Sequence, residues 1–555
     1  MLCCSTSQSL AFPSTSQRPL IEFLCIYSCN SPHNWGLSLA LSGPWKDFTP
    51  SCSDGGRLAP LYGECFTSAN GILQGCPLSL VLLNMLVHVW VVMIQRKVPA
   101  ASPSAYADDL GATATSSKVI RRVLKHTQGF CSLTGMLINA PKSGVWATSR
   151  RLRLELATTC TVDGAAIPLV MDERHLGAFV SFTKRKCRGR IDQTEKACSE
   201  VLERICSLQL HLEARAHLVA SMVLPKALYA GGVSCPSQRS MKKLRAKCAR
   251  AVWGQGNRWR AVEAMFSLLT KGHITDPVQK FAHDCIVSMR RVLRRRPQLI
   301  PLFGRVLEYI QENHRDSSPG PVAALLQACD IANLSFEGPE RLFYLNEENV
   351  GDLMETDWLS PDNDSGAFLH MLRESIRIEQ WSVLAYRRGS FFGAQSGVDR
   401  AATLELHKQL SGLERYKLRT ILCGAVNTRS RTARILDIDP TCICCQTRQR
   451  ETAQHVFAEC DAHEHLRHTD LTLEEWQMLP NCLKYQGIVP RDDALLPERF
   501  RGPVERKQLG CTVQHNLLDI WDHRNALSDA PTPQPRWGEG QQNRNVRRRL
   551  NEMEG

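Results

Sequence analysis

Tyr106-Ala107-Asp108-Asp109 is the stretch that decides how this chain is read. Gly71-Ile-Leu-Gln-Gly-Cys-Pro-Leu-Ser79 precedes it and Gly135-Met-Leu-Ile-Asn-Ala-Pro-Lys142 follows. Adjacent carboxylates repel one another, and aspartate is depleted from strands, so such a pair between two short strand-like runs calls for a cation. At a tight turn, Asp108 and Asp109 point hard oxygen ligands at one spot. That arrangement suits Mg²⁺, which takes one or two carboxylates together with substrate phosphates. A lone Asp-Asp step is ordinarily a solvated turn, so the flanking segments carry the weight.

Taken together, these segments resemble the reverse transcriptases of non-LTR (LINE-like) retrotransposons. The Gly71–Ser79 stretch is similar to their template-gripping loop, Tyr106 to Asp109 to their metal-binding hairpin, and Gly135 to Lys142, with Ser143, to the palm segment in which that family carries a lysine. His175-Leu176-Gly177 resembles the primer-grip signal that the family usually writes Tyr-Leu-Gly. The four segments stand in the family's order and near its spacing.

The resemblance implies an RNA-directed DNA polymerase using paired Mg²⁺ (or Mn²⁺) ions on an RNA template, a DNA primer and deoxynucleotide triphosphates. It implies Asp108 as the main metal ligand, Asp109 as a second carboxylate, and Lys142 as a general acid for pyrophosphate. Gln74 and Gly75 would contact template or nucleotide, Gly75 because it lacks a Cβ. Tyr106 either packs beneath the primer end or fills the core. One part of the family pattern is absent: a third, bridging carboxylate on an earlier strand, in an Asp-x-x-Lys-Ala-Phe-Asp type segment, has no counterpart in residues 1–70. Asp47 and Asp54 lie in unrelated contexts. The chain therefore reads as an N-terminally truncated or decayed polymerase with weak or no activity.

The implied fold class is α+β: a partial palm of antiparallel sheet and helices over 67–183, then a mainly helical thumb-like region over 184–300. A helical connection over 301–425, a zinc-knuckle region over 426–485 and a flexible basic tail over 486–555 complete the expected order. Residues 1–66 mix Cys, Ser, Pro and Gly without a sustained period and stay unassigned.

With 555 residues, 43% hydrophobic and 22% charged, the chain falls in the globular range with room for several domains. A net charge of +13 favours polyanionic partners only modestly. The 23 cysteines are scattered and odd in number and follow no secretory leader, which indicates reduced, intracellular thiols, the nucleus being one open location. Leu78 to Ile94 is nearly unbroken apolar sequence but contains Asn84 and His88. It is short for a span of about 20 residues and is expected as a core helix, with no membrane partner.

Ser116 and Ser117 can cap a helix with apolar positions at Val119, Ile120, Val123 and Leu124, ending near Gly129 or Gly135. Leu152 to Val162, Ala166 to Val170 and Arg174 to Ser181 are expected as strands. Basic runs around Lys184, Lys242 to Arg260 and Arg290 to Arg296 suit phosphates, or are merely solvated helix faces. Trp253 and Trp259 among them either stack on bases or belong to a core. Asp362 and Asp364 read as a solvated loop.

The second constellation is Cys442-x2-Cys445-x9-His455-x4-Cys460. Three thiolates and an imidazole can close a tetrahedral structural Zn²⁺ site that leaves no position for catalysis. Its spacing also resembles the Cys-Cys-His-Cys knuckle downstream of LINE-like polymerase domains. Cys444 is a rival ligand, a helix over Glu451 to Glu459 is expected to bring His455 toward Cys460, and His463, His465 and His468 are expected on the surface. The competing function is a non-enzymatic nucleic-acid-binding or scaffold protein derived from such an element.

Overall fold

The apolar run beginning near Leu78 becomes helix α1 (Pro77–Lys97), and one of its faces organises the first of two structural units. The computed structural model describes residues 22–26, four two-residue strands between 53 and 67, and 77–183, 191–254, 259–313, 320–344, 358–360, 365–445, 447–467 and 470–527. Gln74, Gly75, Asp362, Asp364, His468, the basic run around Lys184 and the basic end from 528 lie outside those residues. The chain divides into one unit of Met1–Glu173 with Ser181–Thr183 and a second of Arg174–Val180 with Lys184–Gly555.

In the first unit β1 (Glu22–Ile26), β2 (Ala101–Tyr106), β3 (Asp109–Ala114) and β4 (Gly144–Trp146) form one antiparallel sheet in the order β2-β3-β1-β4. With α1 after β1 and α2 (Ser117–Thr134) after β3, the connectivity is the split β-α-β-β-α-β arrangement. Its central strand comes from the segment that the sequence left unassigned. The alternation Leu110, Ala112 and Ala114 faces the core, as period-two burial requires.

Val87, Trp90 and Ile94 of α1 pack into that core beside Ile120, Val123 and Phe130 of α2. The Trp90 indole donates to Thr127 Oγ1 at 3.0 Å. Complete burial of an Ile94-sized side chain contributes about 1.5–3 kcal/mol. The core-helix expectation for α1 holds on this face alone, because Leu80, Val81, Met85 and Val89 are exposed. By length and composition α1 also suffices to cross a membrane. Helix α2 ends at Gly135, whose φ of +70° lets its N–H return to the Cys131 carbonyl.

The segment expected as a strand from Leu152 is helix α3 (Arg150–Thr159). Ser149 accepts the Leu152 N–H as its cap, and a Leu-, Arg- and Glu-rich run has strong helix propensity despite its strand-like alternation. A small hairpin of β5 (Thr161–Val162) and β6 (Ala165–Ala166) follows. The strand expected over Arg174 to Ser181 is instead the hairpin β7 (Asp172–His175) and β8 (Ala178–Ser181). Leu176 and Gly177 make its turn with φ of +47° and +80°, the paired positive values of a type I′ connection.

The second unit is mainly helical. One core gathers α4 (Ile191–Ser207), α5 (Gln238–Trp253), part of α6 (Ser365–Arg387) and α7 (Pro503–Ala526); Cys248, Phe266, Trp381, Phe457 and Leu517 are buried there. A second core centres on Phe281, Leu325, Phe336 and Trp358 and includes a hairpin of Leu334–Glu337 with Arg341–Tyr344 that the helical expectation lacked. The flexible tail expected from 486 is corrected by α7: Leu509, Val513 and Leu517 are fully buried.

The basic runs also divide. Arg245 is internal, paired with Asp276 at 2.6 Å and Glu263 at 3.3 Å, and buried Arg290 donates to the Trp358 carbonyl at 2.6 Å. Neither is a free phosphate contact. Lys242, Lys243 and Arg250 remain exposed on α5.

Candidate metal centre

The ribbon that opens the cysteine site is made by backbone pairing. The Cys442 N–H bonds the Gln449 carbonyl, the Glu451 N–H bonds the Pro440 carbonyl, and Thr441 bridges Arg450. The Cys444 N–H points at Cys442 Sγ at 3.4 Å, so Cys444 contributes its amide while Cys445 supplies the next thiol. The expected helix around His455 takes a wider form. His455–Glu459 is a π-turn closed by the Cys460 N–H on the His455 carbonyl at 2.7 Å. Five-residue closure sets His455 beside Cys460, and such widened turns recur at functional sites.

The ligand atoms of Cys442, Cys445, His455 and Cys460 all lie within 4.8 Å of one another. Cys442 Sγ is 3.9 Å from Cys460 Sγ, and Cys445 Sγ is 3.3 Å from His455 Nε2. Tetrahedral zinc with ordinary bond lengths would set these separations at about 3.8 and about 3.6 Å. The cluster could therefore bind zinc. Nδ1 of His455 lies 3.9 Å from Glu459 Oε2, close enough for a small rotation to orient the ring.

A hydrogen bond with Cys444 holds Cys442 well below the ordinary thiol range, and the same bond pushes Cys444 up. Burial, then the charge on Cys442, pushes Cys460 up to about 12. Holding three thiolates this close requires a cation.

Support behind the ligands is buried. Glu451 Oε1 accepts Arg524 Nη2 at 2.6 Å and the Arg429 N–H at 2.7 Å, tying the knuckle to α7. Arg467 donates to the Phe457 and Cys460 carbonyls. His463, expected on the surface, is fully buried, and burial with nearby Arg467 lowers it to about 4. It packs edge-on to His523, whereas His465 is exposed as expected. Sequence reading missed Glu451 and Arg524 as supports, because their partnership spans 73 positions; a carboxylate beside the knuckle was the available hint.

The acidic turn is built differently. Tyr106 pairs with Asp109, leaving Ala107 and Asp108 as a two-residue loop in which Ala107 has φ +50°. Asp108 and Asp109 are half-buried, and Tyr106 is 67% exposed, which removes the core-filling option for it. Cys25 of β1 is opposite both Gly111 and Gly144. Two interstrand steps of nearly 5 Å thus separate β3 from β4, about 10 Å in all. Asp109 begins β3 two residues before Gly111. Lys142 ends the 3₁₀ turn two residues before Gly144, so both sit at one edge of the sheet. The Lys142 side chain is exposed there.

In the described part of β1 the sole carboxylate is Glu22, opposite Ala114 at the far end of β3. Among the described residues, Asp108 and Asp109 join no group of three or more close metal-binding side chains. A carboxylate that sequence reading missed, Glu173, reaches the sheet at Gly144, where a Cβ would lie 2.9 Å from its Oε2.

The fold and this site define a mixed α+β protein, mostly helical, with small antiparallel sheets and a Cys₃His centre. No protein-family model and no curated protein matches the chain.

Proposed function

We propose that the chain derives from an RNA-directed DNA polymerase of the LINE-like type, with its split β-α-β-β-α-β unit as the palm and the helices after it as a thumb-like region. The observation that carries this reading is the common sheet edge of Asp108, Asp109 and Lys142, the three residues that the resemblance makes catalytic. Two half-exposed carboxylates match the modest share of ligands that Mg²⁺ takes from protein. When bound with nucleotide, the metal would stabilise charge on the transferring phosphate. Asp108 and Asp109 would hold it, and Lys142 would present a proton to the departing pyrophosphate.

With the described part of the central strand lacking a carboxylate at that edge, nucleotide transfer is weak or nil, since each lost ligand generally costs several kcal/mol of transition-state stabilisation. Primer extension on an RNA template with Mg²⁺ or Mn²⁺ tests the reading. Incorporation lost in Asp108→Ala supports it; equal incorporation by both proteins excludes this turn as the source.

A second reading is a non-enzymatic nucleic-acid-binding protein derived from such an element. It is favoured by the contrast between an incomplete carboxylate set and four assembled knuckle ligands. RNA binding that persists without Mg²⁺, with zinc retained, and in Asp108→Ala, with no extension, would select it.

A further inference from the structure

Three arginines in the second unit converge on one tryptophan. Arg434 Cζ lies 5.6 Å and Arg431 Cζ 5.9 Å from the centre of the Trp259 ring, within cation–π range. Arg388 Nη1 donates to the Trp259 carbonyl at 2.9 Å. These residues come from distant parts of the chain: the segment before the Val262–Ala264 turn, the end of α6, and the Arg429–Thr432 turn leading into the knuckle. The last is anchored by two N–H bonds to Glu451, from Arg429 to its carboxylate and from Ser430 to its carbonyl. The knuckle's support therefore also holds the turn that carries Arg431 and leads to Arg434.

Among the described residues, Arg388, Arg431 and Arg434 form no ion pair. Arg431 Nη1 is held by the Gly424 and Val426 carbonyls at 2.9 and 2.8 Å, which fixes its fork without neutralising it. The neighbouring carboxylate, Glu263, is engaged by Arg387 at 2.7 Å and Arg245 at 3.3 Å. Asp437, three residues beyond Arg434, pairs with none of the three. Burial, then the charges of Arg388 and Arg434, lower Arg431 to about 10. Like charges held together on a half-buried aromatic, with Glu263 committed to Arg387 and Arg245, favour an anion beside them.

We propose that Arg388, Arg431 and Arg434, gathered around Trp259, form a phosphate-binding surface that grips the backbone of single-stranded nucleic acid. Phosphate, like carboxylate, matches planar guanidinium forks, and more than one fork suits a repeating chain of phosphates better than a single ion. The surface lies wholly in the second unit and works without the acidic turn. It therefore goes beyond the polymerase reading and does not rest on it.

The test is fluorescence anisotropy of a labelled single-stranded oligouridylate with the zinc-loaded full chain, in Mg²⁺-free buffer over a salt series. Arg434→Ala is the main variant, because Arg434 is exposed and its guanidinium packs on the Trp259 ring. It should bind about fivefold to tenfold more weakly and lower the salt slope by about 0.7, the share of one phosphate on a single strand. Arg434→Lys should restore the slope. Arg388→Met should add to the loss, with melting and zinc content checked against wild type. Arg305→Ala, an exposed charge on another helix, should change neither quantity beyond about twofold. Wild-type affinity and slope in both Arg434→Ala and a folded Arg388→Met would overturn the proposal. So would binding of inorganic pyrophosphate with no binding of the oligonucleotide, since that marks a site for a free phosphate.

Discussion

The acidic turn at Asp108 and the knuckle at Cys442 are both candidates for holding a metal, yet the chain builds them on opposite principles. In the knuckle, four ligand atoms converge within 4.8 Å, each placed by local backbone bonds and supported by a buried Glu451–Arg524 pair. In the turn, two half-buried carboxylates stand at a sheet edge, and the rest of the coordination would have to come from substrate and water. A closed site is complete in the folded protein; an open one is complete only with its ligand. The first should therefore govern stability and the second only chemistry.

The largest expected effect removes the knuckle's metal. Purified protein should hold about one zinc per chain. Chelation or Cys460→Ala should destabilise the second unit on the order of 5 kcal/mol in urea unfolding, because metal binding and folding are one equilibrium. Asp108→Ala in the same measurement should move stability by less than about 0.5 kcal/mol. Equal effects at both sites would break the contrast.

Next is the support behind the ligands. Glu451→Gln leaves Arg524 buried against a neutral group and should cost about 3–5 kcal/mol. Adding Arg524→Met should recover part of that loss. Additive losses in the double variant would show that the pair is not the link between the knuckle and α7.

Acid should act on the second unit through His407, which belongs to neither site. His407 accepts a hydrogen bond from Arg419 Nε at 2.8 Å through Nε2, which requires the neutral ring. Burial, then Arg419 and Arg415, lower it to about 4. The unfolded chain takes up its proton near pH 6.5 and the folded chain near 4. Stability from this group is thus present above 6.5 and lost as the pH falls to about 4, by at most about 3 kcal/mol. Melting of His407→Gln should show a shallower fall over that window than wild type.

The smallest effect belongs to the turn itself. Ala107 holds a left-handed φ of +50°, a region that costs a residue with a Cβ about 1 kcal/mol. Ala107→Gly should raise stability by at most that amount, and a loss would mean that the Cβ packs in a way the turn geometry does not require.

How much was legible in advance depended on the range of the contacts involved. The helix from Ser117 to Gly135 and the site Cys442 to Cys460 were readable because periodicity, the glycine that ends the helix and ligand spacing act over a few residues, although Ser116 makes no side-chain cap bond. Helix α3 was misread because alternating leucines fit either period until the Ser149 cap decides. The tail expected from 486 became α7 because its apolar positions, Leu509, Val513 and Leu517, find their partners on distant helices.

By itself the sequence determined the tight acidic turn and the candidate knuckle ligands, both consequences of neighbouring residues, while the mixed α+β class came with the resemblance. Only the tertiary structure decided that Glu22–Ile26 is the central strand, that Arg245 and Arg290 serve the interior, and that Arg388, Arg431 and Arg434 meet at Trp259. Pairing, burial and charge clustering depend on segments far apart in the chain, and no local pattern encodes which of them come together.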